Sequence, residues 1–398
     1  MNLIPDIRFP EFNKEWTFEE LEQCLDYLQP TPYLVESTDY KNEYETPVLT
    51  AGKTFILGYT HEKDGIYTEN LPVIIFDDFT TASQFVDFPF KTKSSAMKIL
   101  LAKNGNNIKF VYEAMQTMNY EVGVHKRHWI SVFSKLKIPL PNPQEQQKIA
   151  SCLSSLDEVI AAHSQKLELL KDHKKGLMQN LFPQEGETVP KYRFKEFEDD
   201  GEWVETTVEN NCEIKGRIGY RGYTTQDIVG QGEGALVLGG KHIQNQLLEL
   251  KDPTYLSWDK YYESPEIMVE VGHIIFSQRG TLGDCAIIDR EIGPATINPS
   301  MVLIKNITCD ARFLYYILIG DCIQEEVRKN RSKGAIPMLS QKQIKEFSFL
   351  IPKPKEQQKI ASCLSSLDAL IKAQVDKIEQ LQLHKKGLMQ GLFPKIKD

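Results

Sequence analysis

The residues of this chain best suited to chemistry are cations and amides held in short, glycine-punctuated loops, and what they suit is hydrogen bonding to nucleic acid. One set runs Lys215, Arg217, Tyr220, Arg221 and Tyr223 (KGRIGYRGY), then Lys241, His242, Gln244 and Asn245 (KHIQN). Further on come Arg279 and Thr281 (SQRGTLG), then Arg328, Lys329, Arg331 and Lys333 (RKNRSKG). An earlier set holds Lys91, Lys93 and Lys98, with His125, Lys126, Arg127 and His128 (HKRH). Arginine, glutamine and asparagine make paired hydrogen bonds to guanine and adenine edges, whereas lysine, serine and threonine hold phosphates.

Covalent chemistry finds no comparable set. Ala51-Gly52-Lys53-Thr54 has the end of a phosphate-binding loop, but Pro47 stands where its first glycine is needed. Asn298-Pro299-Ser300 lacks the second proline and the aromatic ring of an amino-methyltransferase motif, and no glycine-rich donor loop precedes it. The seven cysteines form no CxxC pair, so neither a metal cluster nor a disulfide framework is expected. Such a chain reads as a binder without catalytic residues, cofactor or metal of its own.

What must position these loops is a duplication. Residues 143–183 return at 354–394 with 29 of 41 positions identical. In the first copy Ile149, Leu153, Leu156, Ile160, Leu167, Leu170, Leu177 and Leu181 recur at heptad spacing. In the second copy Ile360, Leu364, Leu367, Ile371, Ile378, Leu381, Leu388 and Leu392 repeat it. Each run predicts a long helix of about 54 Å whose narrow apolar seam needs a partner, and the other copy fits best. His163 and Gln374 fall in the seam as polar layers that set register.

The repeat reaches further. Arg8, Phe9, Phe12 and Trp16 reappear as Arg193, Phe194, Phe197 and Trp203, with two residues inserted before the second tryptophan. Each half is therefore leader, variable module, helix. The expected divisions are 1–140 (leader and first module), 141–183 (first helix), 184–352 (linker, leader and second module) and 353–398 (second helix). Strand-like runs lie at 48–60, 71–79 and 97–102 in one module, and at 235–240, 273–280, 285–290 and 300–305 in the other. Residues 311–329 read as one amphipathic helix. The fold class is mixed α/β: two globular modules joined by two long antiparallel coiled-coil helices about a pseudo-twofold.

A net charge of −8 is unusual for a nucleic-acid binder, but the acidity is local. Residues 1–23 carry −4 and 184–211 carry −6, whereas each module is near −1. Basic faces on the modules remain open. No long apolar run or signal-like start occurs, so a cytoplasmic protein with no membrane partner is expected.

PNPQEQQKI (141–149) and PKPKEQQKI (352–360), with RGTLGD (279–284) and GAIPMLSQKQIKEFSFLIP (334–352), resemble the specificity (S) subunits of type I restriction-modification systems. The resemblance covers essentially the whole chain. It implies two target-recognition domains, each reading one half of a bipartite site in double-stranded DNA. It also implies two methyltransferase (M) subunits docked on the helical frame and carrying S-adenosylmethionine, with restriction (R) subunits as optional partners. A duplicated DNA-binding or coiled-coil adaptor protein outside restriction is the second reading.

Overall fold

The computed structural model describes residues 4–52, 54–118, 129, 132–332 and 337–394. It forms two compact units, residues 1–165 with 375–398, and residues 166–374. Each long helix, Pro143–Leu181 and Pro354–Leu392, begins in one unit and ends in the other.

In the first unit the main sheet is antiparallel, ordered Leu25–Leu28, Met97–Ala102, Val73–Asp77, Ser83–Val86. In the second unit Glu213–Gly216, Met301–Lys305, Ile274–Ser277 and Cys285–Ile287 take the same order. A second sheet accompanies each. Thr46–Leu49 pairs in parallel with Lys91–Thr92, as Gly234–Leu238 does with Ala295–Ile297. Modules of dissimilar sequence thus share one main-sheet order, because the central strands, Val73–Asp77, Met97–Ala102, Ile274–Ser277 and Met301–Lys305, are mostly buried runs that fix a sheet without fixing its loops.

Two expectations are corrected. The run 48–60 is two strands, Thr46–Leu49 and Ile56–Thr60, folded into a hairpin. The run 311–329 is two helices, Ala311–Ile319 and Asp321–Asn330, parted where Gly320 turns extended. A Cβ there would crowd the Tyr316 and Ile317 carbonyls, so glycine suits the turn.

The leaders dock on the start of each long helix through the motif that opens it. Glu145 is buried in the first helical turn, where a carboxylate suits the helix dipole. It accepts two hydrogen bonds from Arg8, at 2.8 and 2.9 Å, and one from Trp16 Nε1 at 3.2 Å. Glu356 repeats this with Arg193, at 2.9 and 2.8 Å. After the two-residue insertion, the Trp203 indole N–H has no such partner among the described residues.

The next residue ties in the module. Gln146 Oε1 accepts from the Asn107 N–H at 2.9 Å, and its Nε2 donates to the Pro141 carbonyl at 2.9 Å. Gln357 does the same with Asp310 and Pro352, at 3.0 and 2.8 Å. Asn107 and Asp310 are themselves the N-caps of Ile108–Gln116 and Ala311–Ile319. One Glu-Gln pair therefore fastens the leader, the helix and the module.

The helices pair antiparallel within each unit. In the first, Leu388, Met389, Leu392 and Phe393 join Ile149 and Leu153 in the core around Trp16 and Phe110. In the second, Leu177, Met178, Leu181 and Phe182 join Ile360 and Leu364 around Trp203 and Phe313. The seam ends thus sit in module cores as well as against each other. Leu156, Ile160, Leu167, Leu170, Ile371, Ile378 and Leu381 are half-buried, and Leu367 is buried.

Matching ion pairs mark the register. Lys385 Nζ lies 2.7 Å from Asp157 in the first unit, and Lys174 Nζ lies 2.6 Å from Asp368 in the second. These four residues occupy equivalent repeat positions. The third partner differs: Glu113, with Lys109, in the first unit, and the Tyr316 hydroxyl, 2.7 Å from Asp368, in the second.

Two predictions follow from this packing. Glu145→Ala strands the Arg8 guanidinium in a mostly buried site, so unfolding free energy should fall by about 3–5 kcal/mol. Glu356→Ala should match it through Arg193. Denaturant titration measures both, and a loss below about 1 kcal/mol would remove the pair from its structural role. Phe393→Ala should cost about 3–5 kcal/mol and act on the first module, although residue 393 is distant in sequence. The Phe393 ring lies 6.4 Å from Trp16 and 5.3 Å from Phe110, so a first-module fluorescence change tests the claim.

Candidate nucleic-acid interface

In the second module, five segments meet at one end of the sheets. Arg217, following Glu213–Gly216, donates to Thr296 Oγ1 and the Ile297 carbonyl, at 3.0 and 3.2 Å. A Cβ on Gly239 would lie 2.4 Å from Asn298 Nδ2, and one on Gly240 would lie 3.5 Å from Thr281 Oγ1. Gln278 Nε2 donates to the Pro299 carbonyl at 3.1 Å. Arg279 bridges Met338, whose N–H donates to Ser332 Oγ at 3.0 Å. The 217–223, 239–246, 278–284 and 298–300 segments, with residues 331–332 and 337–338, therefore form one loop cluster.

The cluster sorts the candidates by what they are free to touch. Arg279, Thr281, Gln244, Asn245 and Arg331 are exposed, as is Tyr220 at 79 %. Tyr220 carries the Arg221 guanidinium 5.5 Å above its ring. Lys241 is exposed, but its ammonium is tied to the Asp252 carbonyl and Thr254 Oγ1, at 2.5 and 3.1 Å. Lys215 is paired with Glu213 at 3.4 Å, and Arg221 with Glu266 at 3.4 Å.

Four sequence candidates are corrected. Arg217 is buried, its guanidinium bonded to backbone and Thr296 and set 5.2 Å from the Tyr223 ring, so it shapes the loop rather than touching a ligand. His242 is fully buried, and the Gly239 N–H donates to its Nδ1 at 3.1 Å. Lys91 is buried against Glu62 at 2.8 Å and the Asp64 carbonyl at 2.6 Å. Lys98 is likewise buried, 3.3 Å from Asp78. Their positive charge or polarity is spent inside the fold, which a loop-composition reading does not detect. His125, Lys126, Arg127, His128 and Lys333 lie outside the described residues.

The first module has a turn at the corresponding place, although it carries no RGTLGD-like motif. Ile74-Ile75-Phe76 and Ile274-Ile275-Phe276 hold equivalent places in the main sheets. The Asp77 N–H closes its turn on the Ala82 carbonyl at 2.8 Å, as Ser277 does on Asp284 at 2.8 Å. The first-module turn, residues 78–81, thus stands where the second module has the longer turn 278–283. The shared Ile-Ile-Phe was the available signal. The turn is tied to Ala96, whose carbonyl accepts from the Asp78 N–H at 3.1 Å, and Lys93 is exposed near the Tyr40 ring.

Among the described residues no group of histidine, cysteine and carboxylate side chains could hold a metal ion. Burial pushes the thiols of Cys24 and Cys212 up, to about 11 and about 12, opposite to what a nucleophile needs. No helix among the described residues is long and apolar enough to cross a membrane.

Comparison with known proteins gives this arrangement a family. The model of the type I restriction modification DNA specificity domain matches residues 13–172 and 260–383. The chain belongs to the type I restriction-modification DNA specificity family. It is 32 % identical over 376 residues to the EcoR124I/EcoR124II specificity subunit of Escherichia coli, covering 89 % of this chain and 87 % of that one. Its fold matches the type I restriction-modification S subunit from M. genitalium with a TM-score of 0.64 at 17 % identity, over 99 % of this chain and 100 % of the other. A chain from a study of type I complex assembly matches with a TM-score of 0.52 at 15 % identity, over 95 % and 97 %. The doubled Glu-Gln node and the twin modules are thus features of a specificity subunit.

The buried imidazole makes the stability of the second module depend on pH. Burial, aided by the Lys241 charge, lowers the His242 pKa below 6.5. The unfolded chain then takes up the proton first as pH falls, so the contribution is present above about pH 6.5 and is lost below it. The melting temperature should drop between about pH 7.5 and 5.5, and His242→Gln should shrink that drop. An unchanged drop in the variant would clear His242 of the effect.

Proposed function

We propose that this specificity subunit reads an asymmetric bipartite site in double-stranded DNA, one half with each module. The observation that carries the proposal is one main-sheet order presented twice, with different side chains in the corresponding turns: Phe79-Thr80-Thr81 in one module and Arg279-Gly280-Thr281 in the longer turn of the other. Phosphate contacts hold a protein in register, and base-edge contacts specify sequence. In the second module Arg279 and Asn245 have the chemistry for base edges, and Arg331 and Lys333 suit phosphates. In the first module Lys93 and the 125–128 cluster supply cations, and Phe79 offers an apolar face to a thymine methyl.

The helices keep the two readers at a set spacing and offer a frame to two methyltransferase subunits. Those subunits bring S-adenosylmethionine, and restriction subunits join where cleavage occurs. This chain contributes recognition and no bond-making step, in a cytoplasmic complex. The family match and the hydrogen-bonding side chains of the second-module loops support a recognition role.

Exchanging residues 212–352 for the corresponding module of another specificity subunit should change one half of the methylated motif and leave the other half and the spacer intact. Methylation sequencing of cells carrying the hybrid with its methyltransferase subunits checks this. Changes in both halves would defeat the two-reader model. Within the second module, Arg279→Ala should weaken specific binding by about 1–3 kcal/mol at one base position.

A further inference from the structure

The turn joining Ile243–Gln244 to Leu247–Leu248 is built against the preference of one of its own residues. Asn245 and Gln246 both hold positive φ, 51° and 64°. Two-residue hairpins of this hand favour Asn-Gly, since glycine has no Cβ to strain and asparagine tolerates the left-handed region. Asn245 fits that rule and Gln246 does not.

Three hydrogen bonds hold Gln246 in place. The Tyr315 hydroxyl donates to its carbonyl oxygen at 2.6 Å, and the Cys285 N–H donates to its Oε1 at 2.9 Å. Its Nε2 donates to Asp284 Oδ1 at 3.3 Å. Tyr315 is itself buried in the module core, so the clamp is anchored in packed interior. A glycine at 246 would make the turn more easily but would not lock it to the 278–284 turn. The arrangement fixes the tip before anything binds, and strain held this way is characteristic of binding sites.

The tip presents one free amide. Gln244 folds back, its Nε2 donating to the Lys241 carbonyl at 3.1 Å. Asn245 is exposed and has no hydrogen-bond partner among the described residues. We infer that Asn245 is a specificity-determining residue of the second module, reading an adenine, with Gln246 and Tyr315 as positioning residues. A side-chain amide pairs its donor and acceptor with adenine N7 and N6, and a pre-set tip does so without ordering a loop on binding. This deepens the DNA-reading role proposed above and rests on it.

The test is methylation sequencing of cells carrying the complete subunit set with wild-type, Asn245→Asp or Tyr315→Phe chains. Aspartate keeps the turn but replaces the amide donor with an acceptor. Adenine preference at one position of the half-site belonging to residues 212–352 should fall about 10- to 100-fold, with the other half unchanged. Tyr315→Phe should relax the same position by a smaller factor. A merely structural role for Tyr315 would instead lower methylation evenly across the motif, and that result overturns its positioning role. If Asn245→Asp does not accumulate, Asn245→Gly keeps the turn, removes the amide and carries the same expectation. An unaltered motif in the position-245 variant overturns the inference alone. A wild-type complex that methylates no bipartite motif overturns the reading beneath it as well.

Discussion

The structure depends on a buried carboxylate at the start of each long helix. Glu145 and Glu356 sit where the helix dipole favours negative charge, and each is neutralised by an arginine reaching in from the leader. A carboxylate so buried is tolerable only when paired, so helix and leader cannot part cheaply. The adjoining Gln146 and Gln357 carry the constraint into the modules through the N-caps at Asn107 and Asp310. Every candidate reading loop is therefore referenced, through a sheet and a short helix, to one Glu-Gln step.

Around that shared node the halves diverge in a graded way. The Lys-Asp pair of the helices is identical in type in both units. One layer outward, Glu113 is answered by Tyr316 at the same contact. Farther out, the turns carry different chemistry altogether, phenylalanine and threonine against arginine and glycine. Similarity falls off with distance from the frame, as expected where the frame is fixed by packing and the tips by what they meet.

The frame was legible in the sequence because its signals are periodic or repeated. Heptads gave the helices and the recurring RF…W leader gave the halves; the Pro-x-Pro-x-Glu-Gln hallmark gave the family. What the hallmark does physically was not legible, since its partners Arg8 and Arg193 lie over 130 residues away. The loop candidates fared unevenly for a related reason. Lys91, Arg217 and His242 have the residue types of contact groups, yet each is buried by a neighbour that composition does not reveal. Gln246 was passed over because its importance lies in a backbone angle and in a hydroxyl from Tyr315.

The two units also differ in how the chain supplies them. Residues 166–374 are one uninterrupted stretch, whereas the other unit combines residues 1–165 with 375–398. A chain leaving the ribosome N-terminus first therefore has all of its second unit before all of its first. Until Leu388, Leu392 and Phe393 emerge, the surface around Trp16 and Phe110 lacks its cover. That makes the earlier-made half the later-finished one, and leaves it the half more open to chaperone capture during synthesis.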